Sequence, residues 1–152
     1  MAEDTTALYF RLLNEVGILE QLSRALLQAR LPAGMLVSHF GVLNHLVRVA
    51  DGRTPLELAR AFQVAKTTMT HTLAGLEKAG LVAMKPNARD GRSKRVWITD
   101  EGRAFRDRSI ASLTPDVQRI AREFPSDRVE RLLPELEGLR QIMDRQRSAD
   151  GD

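Results

Sequence analysis

The side chains with most scope for chemistry stand between Lys66 and Lys94, and together they can hold a polyanion. Lys66, Thr67, Thr68, Thr70 and His71 offer an ammonium for a phosphate, hydroxyls for base edges, and methyl groups that can touch thymine. On a helix turning about 100° per residue, Met69, Leu73, Leu76 and Gly80 fall on one side. Thr67, His71, Ala74 and Lys78 fall on the other, flanked by Thr68 and Thr70. Ala74 and Gly75 are small, which would let the backbone approach a duplex closely. Just downstream, Lys85, Arg89, Arg92, Lys94 and Arg95 face a single acid, Asp90. Asp90 can accept hydrogen bonds from Arg92 or the loop backbone and so aim the arginine. Gly91 permits a positive φ at the turn. An arginine held in this way suits a narrow, electronegative minor groove. A solvated helix face and an ordinary polar hairpin tip are the plainer readings, and each loses weight because the other segment lies directly beside it.

Other chemistries find little support. The histidines are His39, His45 and His71, and no two are spaced i, i+4. There is no cysteine, so disulfides, thiolate metal sites and thiol switches are excluded. No metal site, cofactor or catalytic residue is expected, because no nucleophile–base pair, glycine-rich phosphate loop or carboxylate cluster stands out; the chain does not read as an enzyme. The net charge of +3, from 23 basic and 20 acidic residues, is small, so the positive surplus matters by being concentrated in the hairpin. A hydrophobic fraction of 43% in 152 residues suits a folded domain with a core. The N-terminal MAEDTTALYF lacks the basic-then-apolar order of a signal peptide, and no apolar run is long enough to span a bilayer. A cytoplasmic location without membrane contact is expected.

These side chains need elements to position them. Leu8, Leu12, Val16, Leu19, Leu22 and Leu26 step by three and four, predicting a helix from Thr5 to about Arg30, ended by Leu31-Pro32-Ala33-Gly34. Ser38 is the expected cap of a second helix with Phe40, Leu43, Leu46 and Val47 inward, stopped by Asp51-Gly52. Arg53 and Thr54 read as a very short strand and then a cap. Thr54, Pro55 and Glu57 combine an N-cap, a first-turn proline and a capping box, opening a helix over Pro55 to Phe62. A further helix follows from Lys66 to about Ala79, closed by Gly80. Leu81–Lys85 and Lys94–Thr99 read as strands around a Pro-Asn-Ala-Arg-Asp-Gly loop. Asp100 is the expected cap of a long helix with Phe105, Ile110, Leu113, Val117, Ile120 and Phe124 on its apolar face, kinked at Pro115. Ser126 is expected to cap a last helix kinked at Pro134.

The outer helices carry apolar stripes too long for one small core. Packing within the chain could cover them, but a two-fold homodimer is the favoured expectation.

The stretch Leu58-Ala59 to Val64, then Leu76-Glu77-Lys78-Ala79-Gly80-Leu81-Val82, then Asp90-Gly91-Arg92-Ser93-Lys94-Arg95-Val96-Trp97-Ile98-Thr99 with Glu101-Gly102 resembles the MarR family of winged-helix transcriptional regulators. The resemblance extends over nearly the whole chain. It implies a mainly α fold with a small β-hairpin wing, a winged helix-turn-helix with flanking dimerisation helices. In such a single domain over 1–152, residues 36–99 would bind DNA, and 5–31 with 100–147 would form the dimer. It implies double-stranded DNA bound at pseudo-palindromic operators, usually as a repressor, and relief by a small aromatic or anionic effector. Lys66, Thr67, Thr68, Thr70 and His71 would meet the major groove and phosphates. Arg92 would enter the minor groove, braced by Asp90, with Arg89 and Lys94 beside it. An effector pocket would draw on Phe10, Leu13, Met35, His39, Phe40 and Trp97. Three positions depart from the family pattern: Gln63 replaces a common turn glycine, Ala65 a common capping serine, and Trp97 a residue that is often small or polar. Loss of the serine cap should cost about 1 kcal/mol. Gln63 and Ala65 leave room for a second reading, a winged-helix protein-interaction module that no longer reads DNA.

Overall fold

The computed structural model describes residues 4–149. Their order is α1 (Thr5–Arg30), α2 (Val37–Arg48), α3 (Pro55–Phe62), α4 (Lys66–Lys78), β1 (Val82–Asn87), β2 (Asp90–Ile98), α5 (Asp100–Ala111), α6 (Thr114–Glu123) and α7 (Ser126–Ala149). The chain divides into two compact units between Leu113 and Thr114.

In the first unit, the inward faces of α2, α3 and α4 close on the base of the hairpin and on α5. Leu43, Leu46, Leu58, Leu76, Val42 and Val96 are completely enclosed, with Leu73, Val82, Ile98 and Phe105 beside them. Each such side chain gains about 1.5–3 kcal/mol from leaving water, which fixes the four helices and two strands as one body. The Thr54 box forms as expected: Thr54 Oγ1 accepts from the Glu57 N–H at 3.2 Å, and the Glu57 carboxylate accepts from the Thr54 N–H at 2.9 Å. Arg53 pairs with Val96 as an isolated bridge, adding a third, one-residue strand to the hairpin.

Two helix starts differ from expectation. Ser38 does not cap α2, which begins one residue earlier. The work is done from further away: Gln28 of α1 donates to the Met35 carbonyl and accepts from the Val37 N–H, both at 3.0 Å, while His39 Nδ1 accepts from the Leu36 N–H at 2.9 Å. Asp100 is the first residue of α5 rather than its cap. Thr99 is the cap, accepting from the Gly102 N–H at 3.0 Å and donating to the Gly80 carbonyl at 2.7 Å. The long helix expected to kink at Pro115 is instead two helices: α5 ends at Ala111 and Pro115 lies in the first turn of α6. A first-turn proline needs no N–H partner, so the break costs little there.

The second unit holds α6 and α7, with Pro134 inside α7. Ser126 is the first helical residue, and the Pro125 carbonyl accepts from the Arg128 N–H at 3.0 Å. Arg128 lies over the Phe124 ring, 4.2 Å from its centroid.

Leu27 is the one buried residue of α1. Its stripe is open: Leu8 and Leu22 keep 49% and 59% of their surface, and Leu12, Val16 and Leu19 are also exposed. On α6 and α7, Val117, Ile120, Val129, Leu132, Leu133, Ile142 and Met143 are exposed as well.

Candidate nucleic-acid interface

The turn before α4 is made by Gln63 in the left-handed region, φ 53° and ψ 44°. The Val64 N–H returns to the Ala59 carbonyl at 3.0 Å, which closes α3 despite the missing glycine. Ala65 sits at the N-cap of α4 and gives no side-chain bond, yet the helix still starts at Lys66. The hydrophobic anchors are enough: Met69, Leu73 and Leu76 are buried in the core. Thr72 is buried with them, which the helical wheel did not anticipate. Its hydroxyl is satisfied by donating to the Thr68 carbonyl at 3.2 Å.

That packing leaves Lys66, Thr67, Thr68, Thr70, His71, Ala74 and Lys78 exposed on α4. The threonines are not equivalent. Thr70 donates its hydroxyl proton to the Lys66 carbonyl at 2.9 Å, so its oxygen is left as an acceptor. Gly75 does not thin the exposed face. A Cβ there would lie 2.9 Å from His39 Nε2, so the glycine makes room for a buried histidine behind the helix. Burial lowers the His39 pKa, and the positive charge available to His71 lowers it further. His45 is also lowered, first by burial and then by Arg53 and Arg48. Its ring tilts against Phe62 at 5.5 Å.

The hairpin is longer than expected. Its strands run to Asn87 and from Asp90, leaving only Ala88 and Arg89 between them, with an irregular register at Pro86–Asn87. Gly91 therefore lies within β2 and does not take a positive φ. Asn87, which sequence reasoning passed over, organises the tip. Its Oδ1 accepts from the Arg89 N–H and from Arg95 Nε, both at 3.2 Å, and its Nδ2 donates to Ser93 Oγ at 3.0 Å. An Asn two residues before Arg89 is the Asx-turn spacing, and that was the available signal. Asp90 Oδ1 accepts from the Arg92 N–H at 3.0 Å, so the carboxylate fixes the arginine's backbone rather than its guanidinium.

A groove runs between α4 and this wing, bringing together Lys66, Thr70, Asp90, Arg92 and Lys94. Thr67, Thr68 and His71 lie on the exposed surface of α4, and Arg89 at the exposed tip. Lys66, Arg92 and Lys94 are thus gathered along one concave surface, where low-dielectric walls strengthen their field, while Lys85 and Arg95 share the other face of the hairpin.

The other expected pocket residues are dispersed. Phe10 and Leu13 are exposed on α1, Met35 and Phe40 are half-buried, and His39 is enclosed behind α4. Trp97 packs on Gly52, where an added Cβ would meet the indole at 2.6 Å. Among the described residues no group of His, Cys, Asp and Glu could hold a metal ion, and no helix is long and apolar enough to cross a membrane.

A helix-turn-helix with an exposed second helix, followed by a basic two-stranded wing, defines a winged helix-turn-helix protein. Residues 33–93 match the MarR family model. The chain is 33% identical over 98 residues to the transcriptional activatory protein BadR of Rhodopseudomonas palustris, a match covering 63% of this chain. It spans about half, 54%, of that curated relative. Among solved structures, the transcriptional regulator BldR from Sulfolobus solfataricus aligns with a TM-score of 0.75 at 24% identity, covering 94% of this chain and 99% of that one. A mutant MarR from E. coli complexed with operator DNA aligns at 0.67 with 26% identity, covering 90% and 99%. The chain is thus similar to the MarR family of winged-helix transcriptional regulators, with the match to the family model lying in residues 33–93.

Proposed function

We propose that the chain regulates transcription as a homodimer bound to a pseudo-palindromic operator in double-stranded DNA. The observation that carries this reading is the groove that joins Lys66 of α4 to Arg92 and Lys94 of the wing. Phosphates would pass along that groove, α4 would present Thr67, Thr68, Thr70 and His71 to the major groove, and Arg92 would reach the flanking minor groove. The similar mutant MarR from E. coli, whose structure is complexed with operator DNA, supports it. The exposed apolar faces of α1, α6 and α7 are the surfaces we assign to the dimer. Two copies would set their α4 helices about one DNA turn apart, roughly 34–36 Å. A bound dimer that overlaps a promoter represses, and release by a small aromatic or anionic ligand would restore transcription.

The alternative, an interaction module without DNA reading, rested on Gln63 and Ala65. The turn and α4 form with both residues in place, so that ground is weakened.

Selection of bound sequences from random duplex DNA, in sedimentation-verified dimer, tests the proposal. A recovered inverted repeat is the expected result. Arg92→Ala should then weaken binding most on sites with A·T-rich flanks and reduce the slope of log affinity against log salt by about one. A folded chain that enriches no sequence, and shows no salt-dependent duplex binding, overturns it.

A further inference from the structure

A two-stranded ribbon has little of its own to hold it, since an isolated hairpin is marginal in water. The base of the wing is anchored in the core through Val82, Val96 and Ile98. From Lys85 to Lys94, Asn87 is the one buried residue. The body nonetheless reaches that far. Asp51, Gly52 and Arg53, in the loop before α3, hold four successive residues of β2. The Arg53 carbonyl accepts from the Val96 N–H at 2.7 Å, Asp51 Oδ1 accepts from the Ile98 N–H at 3.0 Å, and Gly52 supports the Trp97 indole. The fourth contact extends farthest out. Arg95 Nη1 donates to the Gly52 carbonyl at 2.7 Å, while its Nε donates to Asn87 Oδ1 at 3.2 Å.

We infer that Arg95 is a positioning residue for Arg92, a strut that links the body of the domain to the tip of the wing. The register sets Arg95 opposite Lys85, on the face shared with Trp97 and away from the groove that Lys94 lines. Like charges facing each other across a ladder are unfavourable. Within the fold a second positive charge is therefore a cost at this position, and the planar fork is the gain. Its Nη1 and Nε reach a backbone carbonyl and a side-chain carbonyl at once, which one ammonium on a flexible stem does not reproduce. From Asn87 the constraint passes on: Oδ1 also accepts from the Arg89 N–H, and Nδ2 donates to Ser93 Oγ. Arg89 and Ser93 flank Arg92 in the chain, so the tip is fixed on both sides of it.

This role rests on Arg92 being an operator contact. The variant is Arg95→Lys, which keeps the charge and loses the fork. At fixed salt, on the inverted repeat recovered with the parent, it should weaken binding about fivefold, the worth of about one hydrogen bond. In an Arg92→Ala background the same change should cost less than about twofold, because a strut acts only through what it positions. Binding at parent affinity would mean that charge suffices, and an equal loss with and without Arg92 would mean that Arg95 acts on its own; either result overturns the role. A second arm needs no DNA. In ¹⁵N-labelled full-length protein, the heteronuclear NOE of the Arg89 and Ser93 amides should fall on going from the parent to Arg95→Lys. Unchanged tip order overturns the strut whatever the DNA result. A parent that enriches no duplex sequence refutes the operator reading instead, and with it Arg92 as the beneficiary, while the fall in tip order still establishes the strut.

Discussion

Replacing Gly102 by Ala sets two simple rules against each other. Gly102 lies in the first turn of α5, and helix propensity alone says that alanine there stabilises by about 0.5–1 kcal/mol. The packing says otherwise. A Cβ would stand 2.1 Å from the Leu81 carbonyl oxygen and 2.8 Å from Ile98 Cγ1. An ordinary carbon–oxygen contact is about 3.3 Å, so the start of α5 must move by roughly 1 Å. Two bonds cross that gap, Thr99 N–H to the Leu81 carbonyl at 3.1 Å and Thr99 Oγ1 to the Gly80 carbonyl at 2.7 Å. Losing both costs about 1 kcal/mol each, and crowding at Ile98 adds about 1 kcal/mol. Set against the propensity gain, the net loss is about 2 kcal/mol, or a melting point lower by about 4–8 °C. Thermal unfolding followed by far-UV circular dichroism measures it. Gly17→Ala is the control, because a Cβ there meets nothing within 4 Å and should raise stability. If Gly102→Ala melts at or above the parent temperature, the close approach of α5 to the hairpin base is not what the glycine serves.

Gln63→Gly should raise stability by about 1 kcal/mol, since it relieves the left-handed backbone at φ 53°; an unchanged urea midpoint would show that the turn is unstrained. Asn87→Ala should weaken operator binding about tenfold, or about 1.4 kcal/mol, by freeing the tip, while the core melts as before; equal affinity by fluorescence anisotropy would count against a positioned wing. His39 is held neutral by burial, with its pKa below the ordinary value of about 6.5. The unfolded chain therefore binds the proton first, and stability should fall as pH drops through and below that value. Urea unfolding at several pH values should show this loss reduced in His39→Gln; an identical pH profile would refute it.

The helix-turn-helix was legible because its signals are local. Thr54, Pro55 and Glu57 cap within one turn, and Gly80 ends α4 with φ 74° just where the pattern stops. What escaped depends on partners distant in sequence. Thr99 prevails over Asp100 as the cap because its hydroxyl also reaches Gly80 across the hairpin. Ser38 yields to Gln28 because α1 folds back over the start of α2. The importance of Asn87 rests on Arg95 and Ser93, which only strand pairing brings near. Thr67, Thr68 and His71 were legible as exposed from helical spacing alone, but the sharing of one groove by Lys66, Arg92 and Lys94 required the hairpin's bend over α4.

Thr99 ties α4 to α5 with one oxygen, at the point where the last strand of the wing ends. It receives the first turn of α5 and gives its proton to the residue that ends α4. A tilt imposed on α5 would thus be transmitted as a single torque to both prongs of the head, with no slack joint between them. Whatever bends that helix must re-aim the whole head at once, which favours an all-or-nothing grip over a graded one.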